Sequence, residues 1–336
     1  MRYKILVGLL LLLTITGTWS WTTYQNARQA QVIPGEQITI EIKKGDSFDT
    51  ITRKLIAKNV NITPLWFKII ALQQKATTKI KIGEYDLKGG MTVPELLAVL
   101  VTGKPRQYSI TFPEGWAFKE ILQEIAKNPN LEHTLADNTI DYPNLMSTLG
   151  ATTQHPEGLF FPDTYFFEKN TTDIALLKRA YDRMQIVLAE EWNNKAADLP
   201  LKSPYEALIL ASIVEKETGA KTERPTIAGV FTRRLKTGMM LQTDPTVIYG
   251  MGDNYKGNIT LKDLHTATLY NTYTIKGLPP TPIALPGRDA IAAALHPEAG
   301  DSLYFVARSD NSGTHIFSAS LKDHNSAVDT HQRNKN

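Results

Sequence analysis

The residues best suited to chemistry in this sequence are two glutamates near the end of an apolar segment. They lie in Ala211–Gly219 (ASIVEKETG), directly after the aliphatic run Leu208–Leu210. A Glu-Lys-Glu triplet is ordinarily a solvated helix surface. A carboxyl group held against apolar surface without a cation instead has a raised pKa, and this is what a general acid needs near neutral pH. The segment therefore predicts that one of the two glutamates is a general acid.

The element that positions these glutamates is predicted to be a helix with a well-defined start. Ser203 is a preferred N-cap residue, Pro204 suits the first helical position, and Glu206 completes a capping box. Gly219 is a natural stop. The two glutamates then occupy the last turn.

A helical wheel separates the two carboxylates. At about 100° per residue, Glu215 and Glu217 point about 160° apart, so they cannot share one face. The large aliphatic side chains have a mean direction within about 20° of Glu217, and Glu217 is therefore predicted to face the apolar interior. The alternative interpretation is that Glu217 forms a salt bridge with Arg224 or Arg233.

Two short segments after this helix concentrate amide, hydroxyl, carboxylate and phenol groups, namely Gln242–Gly250 (QTDPTVIYG) and Tyr270–Tyr273 (YNTY). Such groups among tyrosines suit sugar hydroxyls and N-acetyl groups, which need a few placed polar partners beside apolar rings. Ordinary turn chemistry is the alternative. The candidate sugar-binding residues are Gln242, Thr243, Asp244, Tyr249, Asn271 and Tyr273.

Several other chemistries are excluded by what the sequence lacks. There is no cysteine, which removes disulfides, thiolate metal sites and cysteine nucleophiles. There is also no Gly-x-Ser-x-Gly, no Walker A lysine and no His-Glu-x-x-His. His296 and His315 could meet in the fold, but surface or hydrogen-bonding roles are favoured over a metal site. No metal and no other cofactor is predicted.

The composition is that of a globular protein with two or three domains. The 336 residues are 42% hydrophobic and 21% charged, which excludes large-scale disorder. The formal net charge of +3 is small for this length. No nucleic-acid partner is predicted, because basic residues are not clustered as such binding requires.

The N-terminus predicts a membrane anchor. Arg2 and Lys4 precede the uncharged run Ile5–Trp21, which is near the lower length limit for a membrane span and longer than most signal-peptide cores. The aromatic residues of Trp19–Tyr24 suit the membrane–water interface. An anchor over residues 5–24 is therefore favoured over a cleaved signal. The tail 1–4 would be cytoplasmic and the remainder extracytoplasmic.

A small subdomain is predicted after a polar linker over residues 25–36. It covers residues 37–104 and opens with the alternating strand Gln37–Lys43, followed by two apolar helices and a return strand, Lys79–Leu87. Its strand, Gly-Asp turn and helix resemble the LysM module, a β-α-α-β peptidoglycan-binding domain. That resemblance implies binding to glycan chains that contain N-acetylglucosamine.

The strand–turn–helix pattern of this subdomain occurs again further along the chain. Ile42–Phe48 (IKKGDSF) is similar to Phe112–Phe118 (FPEGWAF), and helical apolar residues follow both segments. The second copy defines a βα unit and connector over residues 105–155. Chance similarity and divergent duplication of one unit are both open.

The remainder, residues 156–330, is predicted to be a mixed α+β catalytic domain. It contains a long amphipathic helix from Asp173 to about Trp192 and two strands, Ser302–Ala307 and Thr314–Ser318. Helices and strands are mixed without regular βαβ alternation, so the fold class is α+β.

Several motifs together resemble the YceG-like family, and they occur in the family's order. They are Ala211–Thr218 (ASIVEKET), Arg233–Leu235 (RRL), Met239–Gly250 with its QTDPTVIYG block, YNTY, Gly277–Pro280 (GLPP), His296-Pro297 and Tyr304–Val306 (YFV). The anchor and the LysM-like region extend the resemblance over nearly the whole chain.

The resemblance implies an endolytic lytic transglycosylase, a carbon–oxygen lyase acting on peptidoglycan. Such enzymes cleave the bond between N-acetylmuramic acid and N-acetylglucosamine and leave 1,6-anhydromuramic ends. Lytic transglycosylases with a lysozyme-like catalytic helix place the glutamate before Ser or Thr, which here selects Glu217 as the single general acid and base. Glu215 and Thr218 are predicted to support it.

The same resemblance implies a single-pass protein of the inner (cytoplasmic) membrane, with a periplasmic or otherwise extracytoplasmic catalytic domain. Its partners would be nascent glycan strands and peptidoglycan synthases. Two alternatives remain. One is a muramidase that uses water, with Asp244 as the second carboxylate. The other is a non-catalytic, membrane-tethered scaffold that only binds glycan.

Overall fold

The computed structural model describes residues 2–135, 140–153, 155–310 and 312–333. Helices dominate, and the strands form two-stranded sheets. The chain divides into two compact units. The first runs to Tyr108 and includes Phe166–Asn170, and the second comprises Ser109–Tyr165 and the chain from Thr171 onward. The predicted α+β class is confirmed.

The first unit begins with one long apolar helix, α1 (Arg2–Gln29). A helix of this length spans about 42 Å, more than the hydrocarbon core of a bilayer. None of its most apolar 18-residue stretch is buried, so the helix is compatible with the predicted anchor.

The elements after α1 follow the predicted order. They are β1 (Gln37–Ile42), α2 (Phe48–Ala57), α3 (Pro64–Gln73), β2 (Gly83–Lys88) and α4 (Val93–Thr102). The strands β1 and β2 are antiparallel, with Gln37 opposite Lys88 and Ile42 opposite Gly83. The β-α-α-β order is therefore present, and the return strand begins later than predicted. Membership of the LysM family remains a prediction.

The second βα unit has the local geometry of the first. Strand β3 (Gln107–Thr111) leads into α5 (Phe118–Lys127), as β1 leads into α2. Gly45 and Gly115 occupy corresponding turns with φ of 90° and 78°, a region that favours glycine. The strands differ in their partners, because β3 pairs with β5 (Thr164–Glu168) and not with a strand of its own repeat. A common origin of the two copies remains a hypothesis.

The second unit is a helical assembly with short strands. Its first elements after α5 are β4 (Leu131–Glu132), α6 (Tyr142–Thr148), β6 (Thr171–Thr172) and α7 (Asp173–Asn193). Helix α7 begins at Asp173, as predicted. The helices α8 (Pro204–Glu217), α9 (Arg224–Thr237), α10 (Asp244–Met251), α11 (Leu261–His265) and α12 (Arg288–Leu295) follow. The hairpin β7 (Tyr304–Ala307) and β8 (His315–Ser318) precedes α13 (Leu321–Val328).

Helix α8 is the centre of this unit. Every residue from Ala207 to Val214 is buried, because α7, α9, α10 and α12 all pack against it. A helix that is apolar on all sides is stable only when it is covered in this way. The surrounding helices thus hold the last turn of α8, with its two glutamates, in a fixed position.

Candidate active site

The start and end of α8 follow from local hydrogen bonds. Ser203 Oγ accepts the N–H of Glu206 at 3.2 Å, as an N-cap does. The Glu206 carboxylate accepts the N–H of Lys202 at 2.6 Å, one residue earlier than the predicted capping box. The helix ends at Glu217, and Thr218 is extended, its Oγ1 accepting the N–H of Ala220 at 3.0 Å. Thr218 therefore turns the chain away directly after Glu217.

A threonine hydroxyl holds the Glu217 carboxyl group. Thr243 Oγ1 donates a hydrogen bond to Glu217 Oε1. Thr243 is itself 1% exposed, and its N–H donates to Thr272 Oγ1 at 3.0 Å. Among the described residues, no group donates to the other oxygen, Oε2, which is left to carry a proton.

The surroundings of Glu217 favour its neutral form. The residue keeps partial exposure because it lines a cleft, but desolvation raises the pKa of Glu217 from 4.5 to about 7. The Thr243 hydrogen bond lowers this pKa, the charge of Asp244 raises it, and the Arg234 guanidinium lowers it. Glu217 can therefore be a proton donor and an acceptor near neutral pH.

The second glutamate, Glu215, is occupied by an ion pair. Its Oε1 accepts a hydrogen bond from Arg224 Nη2 at 2.6 Å, and its Oε2 accepts the N–H of Gly287 at 2.9 Å. Burial raises the pKa of Glu215, while the Gly287 N–H and the Arg224 charge lower it. The side chains of Glu215 and Arg224 are only 5% and 4% exposed.

This arrangement corrects the prediction from the helical wheel and also its alternative. The wheel placed only Glu217 against the protein interior, but Gly287 and Arg224 cover Glu215 as well. The alternative salt bridge to Glu217 is wrong. Arg224 pairs with Glu215, and Arg233 donates to the carbonyl oxygens of Ser302 and Glu298 at 2.7 and 3.0 Å. The wheel considers one helix, whereas burial depends on all its neighbours.

Glu217 lies in a cleft of about 450 Å³. Three predicted sugar-binding residues share it, Gln242, Asp244 and Tyr273. Tyr273 Oη donates to Asp244 Oδ1 at 2.6 Å. This hydrogen bond holds the Tyr273 side chain against Asp244, the first residue of α10. Carboxyl, amide and phenol groups therefore line the same cleft as the candidate acid, and their binding of sugar remains a prediction.

The loop before α10 has a strained residue next to the cleft. Gln242 has a φ of 49°, which is uncommon for a residue other than glycine. Its N–H donates to the carbonyl oxygen of Thr272 at 3.1 Å, beside the Thr272 hydroxyl that holds Thr243. This pair of bonds directs Thr243 toward Glu217.

Two predicted sugar-binding residues are elsewhere. Asn271 is 1% exposed, and its Nδ2 donates to the carbonyl oxygens of Asp263, Leu264 and Thr266 at 2.7 to 3.1 Å. In the part of the chain that the structure describes, it is not a lining residue of the cleft.

Tyr249 points to a different cleft of about 430 Å³ at the far end of α10. Its Oη donates to Glu157 Oε2 at 3.1 Å, and Glu157 Oε1 accepts the N–H of Phe118 at 2.9 Å. Burial raises the pKa of Glu157 to about 7, against the opposing effect of these hydrogen bonds. The spacing of apolar residues in the sequence did not predict that Glu157 is buried.

Another part of the wall of the Glu217 cleft was not predicted from the sequence as a site. It is built by Arg234 of α9, Tyr304 of β7 and His324 of α13. Arg234 donates to the carbonyl oxygens of Leu303 and Leu241 at 2.7 and 2.6 Å. The Tyr304 ring lies 5.3 Å from the Arg234 guanidinium and stacks 5.3 Å from His324.

The only available sequence signal for this wall was the presence of Arg234 and Tyr304 in the family motifs. Thr272 was also missed, although it lies inside YNTY and positions Thr243. Such residues contact the site through tertiary packing, which spacing along one element does not reveal.

In the described ranges, no group of three His, Asp or Glu side chains is placed so that it could hold a metal ion. His315 lines the cleft and its Nδ1 lies 2.8 Å from Glu223 Oε2. The site therefore offers acid–base, hydrogen-bonding and ring-stacking groups.

Comparisons with known proteins found similar sequences over most of the chain. The family model described as the YceG-like family matches residues 40–330. The endolytic murein transglycosylase of Bacillus subtilis (strain 168) is 32% identical over 319 residues, covering 89% of this chain and 86% of that protein. The endolytic murein transglycosylase of Streptococcus pneumoniae serotype 2 (strain D39 / NCTC 7466) is 30% identical over 331 residues, covering 89% of this chain and 59% of that protein.

A solved structure is similar over most of the fold. The 2.6 Å crystal structure of a yceG-like protein from Listeria monocytogenes has a TM-score of 0.55 and 30% sequence identity to this chain. The match covers 87% of this chain and 98% of the Listeria chain.

Proposed function

Because the chain belongs to the YceG-like family, we propose that it is a lytic transglycosylase that cleaves peptidoglycan within its glycan strands. The names of the Bacillus and Streptococcus relatives support this activity. The observation that carries the proposal is the carboxyl group of Glu217. It lines a cleft, its pKa is raised to about 7, and one oxygen is held by Thr243.

The proposed reaction uses one carboxyl group twice. Glu217, protonated on Oε2, donates its proton to the glycosidic oxygen as the bond from C1 of N-acetylmuramic acid breaks. The resulting carboxylate then accepts the proton of the C6 hydroxyl of the same sugar, and the oxygen of this hydroxyl bonds to C1. The products are a 1,6-anhydromuramic end and a free hydroxyl on N-acetylglucosamine, and Glu217 is again protonated.

A pKa near 7 suits both halves of this cycle, since donor and acceptor forms of Glu217 are then both accessible near neutral pH. Gln242, Asp244 and Tyr273 are proposed to orient the sugars in the cleft. Thr243 fixes the acid, and the Glu215–Arg224 ion pair supports the end of α8.

A muramidase that uses water is the second candidate, because Asp244 lines the same cleft as Glu217. Ordinary glycosidases use such a pair of carboxyl groups. The Tyr273 hydroxyl, however, already donates to Asp244 Oδ1, so this oxygen is occupied and less available to activate water. The products separate the two reactions, because hydrolysis gives reducing ends and transglycosylation gives anhydro ends.

We also propose the cellular placement of the reaction. Helix α1 would hold the protein in the cytoplasmic membrane, with the short basic tail inside and the chain after α1 outside. The substrate would then be glycan strands near the membrane, where the synthases that make nascent strands would be the protein partners.

The decisive experiment compares Glu217→Gln with Glu215→Gln in the full-length protein on purified glycan strands. The ends of the products are identified by mass spectrometry, and thermal unfolding checks that both variants are folded. Glu217→Gln should lower the rate of anhydro-end formation by at least about 100-fold, which is the low end for a lost general acid. Glu215→Gln should keep most of the activity at temperatures where it is folded.

The outcomes separate the candidates. Anhydro ends formed at the parental rate by Glu217→Gln would refute the assignment of Glu217. Reducing ends from the parental protein would establish the muramidase. If the parental protein left the length of the glycan strands unchanged, the protein would be a scaffold that only binds glycan.

A further inference from the structure

Helix α3, in the first unit, is apolar on both of its faces. Phe67, Ile70 and Ala71 are buried in the core of that unit. On the opposite face, Leu65 and Leu72 are 63% and 57% exposed. The outer face also carries Lys68, whose Nζ lies 3.3 Å from Asp49 Oδ1. Exposed leucines grouped beside a charge in this way mark an interaction surface.

The direction of α3 is set by its contacts with the end of α1. Just before α3, the N–H of Asn61 donates to the carbonyl oxygen of Val32 at 2.7 Å. At the last residue of α3, Gln73 Oε1 accepts a hydrogen bond from the Tyr24 hydroxyl. The Tyr24 ring also lies 5.8 Å from the Trp66 ring. Helix α3 therefore runs back along α1, toward the apolar span.

This direction brings the C-terminal end of α3 to the level of the membrane surface. Tyr24 is the last residue of the predicted anchor over residues 5–24, so its side chain lies where that anchor ends. Tyrosine and tryptophan favour this interface level. Leu72, next to Gln73, is thus an exposed leucine at the height of the lipid headgroups.

The charge of the chain around Leu72 complements an anionic surface. Between Pro64 and Gly83 there is no acidic residue, while Lys75 and Lys79 lie in the segment after the helix and are exposed. Within the described ranges, neither lysine forms an ion pair. Lysines beside exposed apolar side chains are typical of helices that lie at a membrane surface.

We propose that the α3 tip, defined as the half-buried Ile69 and the exposed Leu72, Lys75 and Lys79, is a second membrane contact beside the anchor. The apolar side chains enter the headgroup region of the bilayer that α1 spans, and the lysines bind anionic lipid phosphates. The contact fixes the first unit against the membrane surface and does not depend on the catalytic activity. It requires only that α1 spans the bilayer.

Single cysteines can test this contact, because the chain has none of its own. The full-length variant Leu72→Cys carries an environment-sensitive fluorophore and is reconstituted in vesicles that contain spin-labelled lipids. Leu65→Cys is the matched control, since it is a similarly exposed leucine on the same helix, about 10 Å from Leu72 along the helix axis and at the end away from the span. Both positions are exposed, so labelling should leave the fold intact. Trp19→Cys, within the anchor, reports insertion of α1.

We expect lipid quenching at position 72 to exceed that at position 65 about threefold, because an interfacial helix enters only about 5–10 Å. Vesicles with phosphatidylglycerol should give stronger quenching at 72 than vesicles of phosphatidylcholine alone. The double variant Lys75→Glu/Lys79→Glu should remove that difference, since each lysine contributes to the attraction.

Absence of quenching at 72 while position 19 is quenched would overturn the contact, as would equal quenching at 72 and 65. Equal quenching in both vesicle types would overturn the role of the lysines. If the partner were a second copy of the chain, position 72 would show energy transfer that rises with protein density and no lipid quenching, which would also overturn the proposal.

Discussion

Replacing Thr243 by valine should move the alkaline limit of activity to higher pH. Valine keeps the shape of threonine but removes the hydroxyl that donates to Glu217 Oε1. That hydrogen bond stabilises the ionised carboxylate and so lowers the pKa of Glu217. The general acid must be protonated in the free enzyme, and activity should therefore fall as pH rises through the pKa of Glu217.

The size of the shift follows from the strength of the hydrogen bond. A bond to a charged group contributes about 1.5–3 kcal/mol, and one pKa unit corresponds to about 1.4 kcal/mol. Because Glu217 lines a cleft that water can enter, part of this loss is replaced by solvent. The pKa of Glu217 should therefore rise by about one, from about 7 to about 8.

The assay is the pH dependence of kcat/KM for anhydro-end formation, which reports the free enzyme. At pH 8 the parental acid would be about one-tenth protonated and that of the variant about half, a difference of about fivefold relative to each maximum. Thr232→Val is the matched control, because the Thr232 hydroxyl is buried and has no hydrogen-bond partner among the described residues. If the alkaline limb of the kcat/KM profile of Thr243→Val stayed in place or moved to lower pH, the reasoning would be refuted.

The charge of Asp244 supplies the opposite test. It raises the pKa of Glu217, so Asp244→Asn should move the alkaline limb to lower pH, whatever happens to the maximal rate. Shifts in the same direction for both variants would show that another group controls the limb.

The remaining predictions concern stability. Glu215→Ala should lower the free energy of unfolding by about 3 kcal/mol, measured with denaturant, because it leaves the buried charge of Arg224 without its close partner; a loss below about 1 kcal/mol would contradict this. Glu157→Gln should flatten the pH dependence of stability. The folded pKa of Glu157 is raised to about 7, so the parental protein loses stability as pH rises from about 4.5 to about 7, on the order of 3 kcal/mol. A steeper loss in Glu157→Gln would reverse the sign of the argument.

Much of the local structure could be predicted from the sequence because its causes are local. The start of α8 depends on Ser203 and Pro204, and the long helix α7 on regular apolar spacing from Asp173. The turns at Gly45 and Gly115 depend on a conformation that glycine favours. Each of these causes acts within a few residues, so the types of the neighbouring residues are sufficient to predict the element.

The surroundings of the two glutamates required the tertiary structure. The wheel pointed to Glu217, but it could not show that Arg224 and Gly287 reach Glu215 from later elements. It also could not separate Tyr249 and Asn271 from the cleft, although they lie in the same motifs as Thr243 and Tyr273.

The sequence by itself determined the apolar helix, the glutamate that it carries and the polar segments that follow it. Only the tertiary structure decided which partner each carboxyl group has, because desolvation and hydrogen bonding depend on atoms brought together from distant parts of the chain. Thr243 comes to Glu217 through Thr272, and Arg234 and Tyr304 complete the cleft from two further elements. Desolvation, the Thr243 hydroxyl and the charges of Asp244 and Arg234 together set the pKa of Glu217, and for that reason this pKa is a property of the fold.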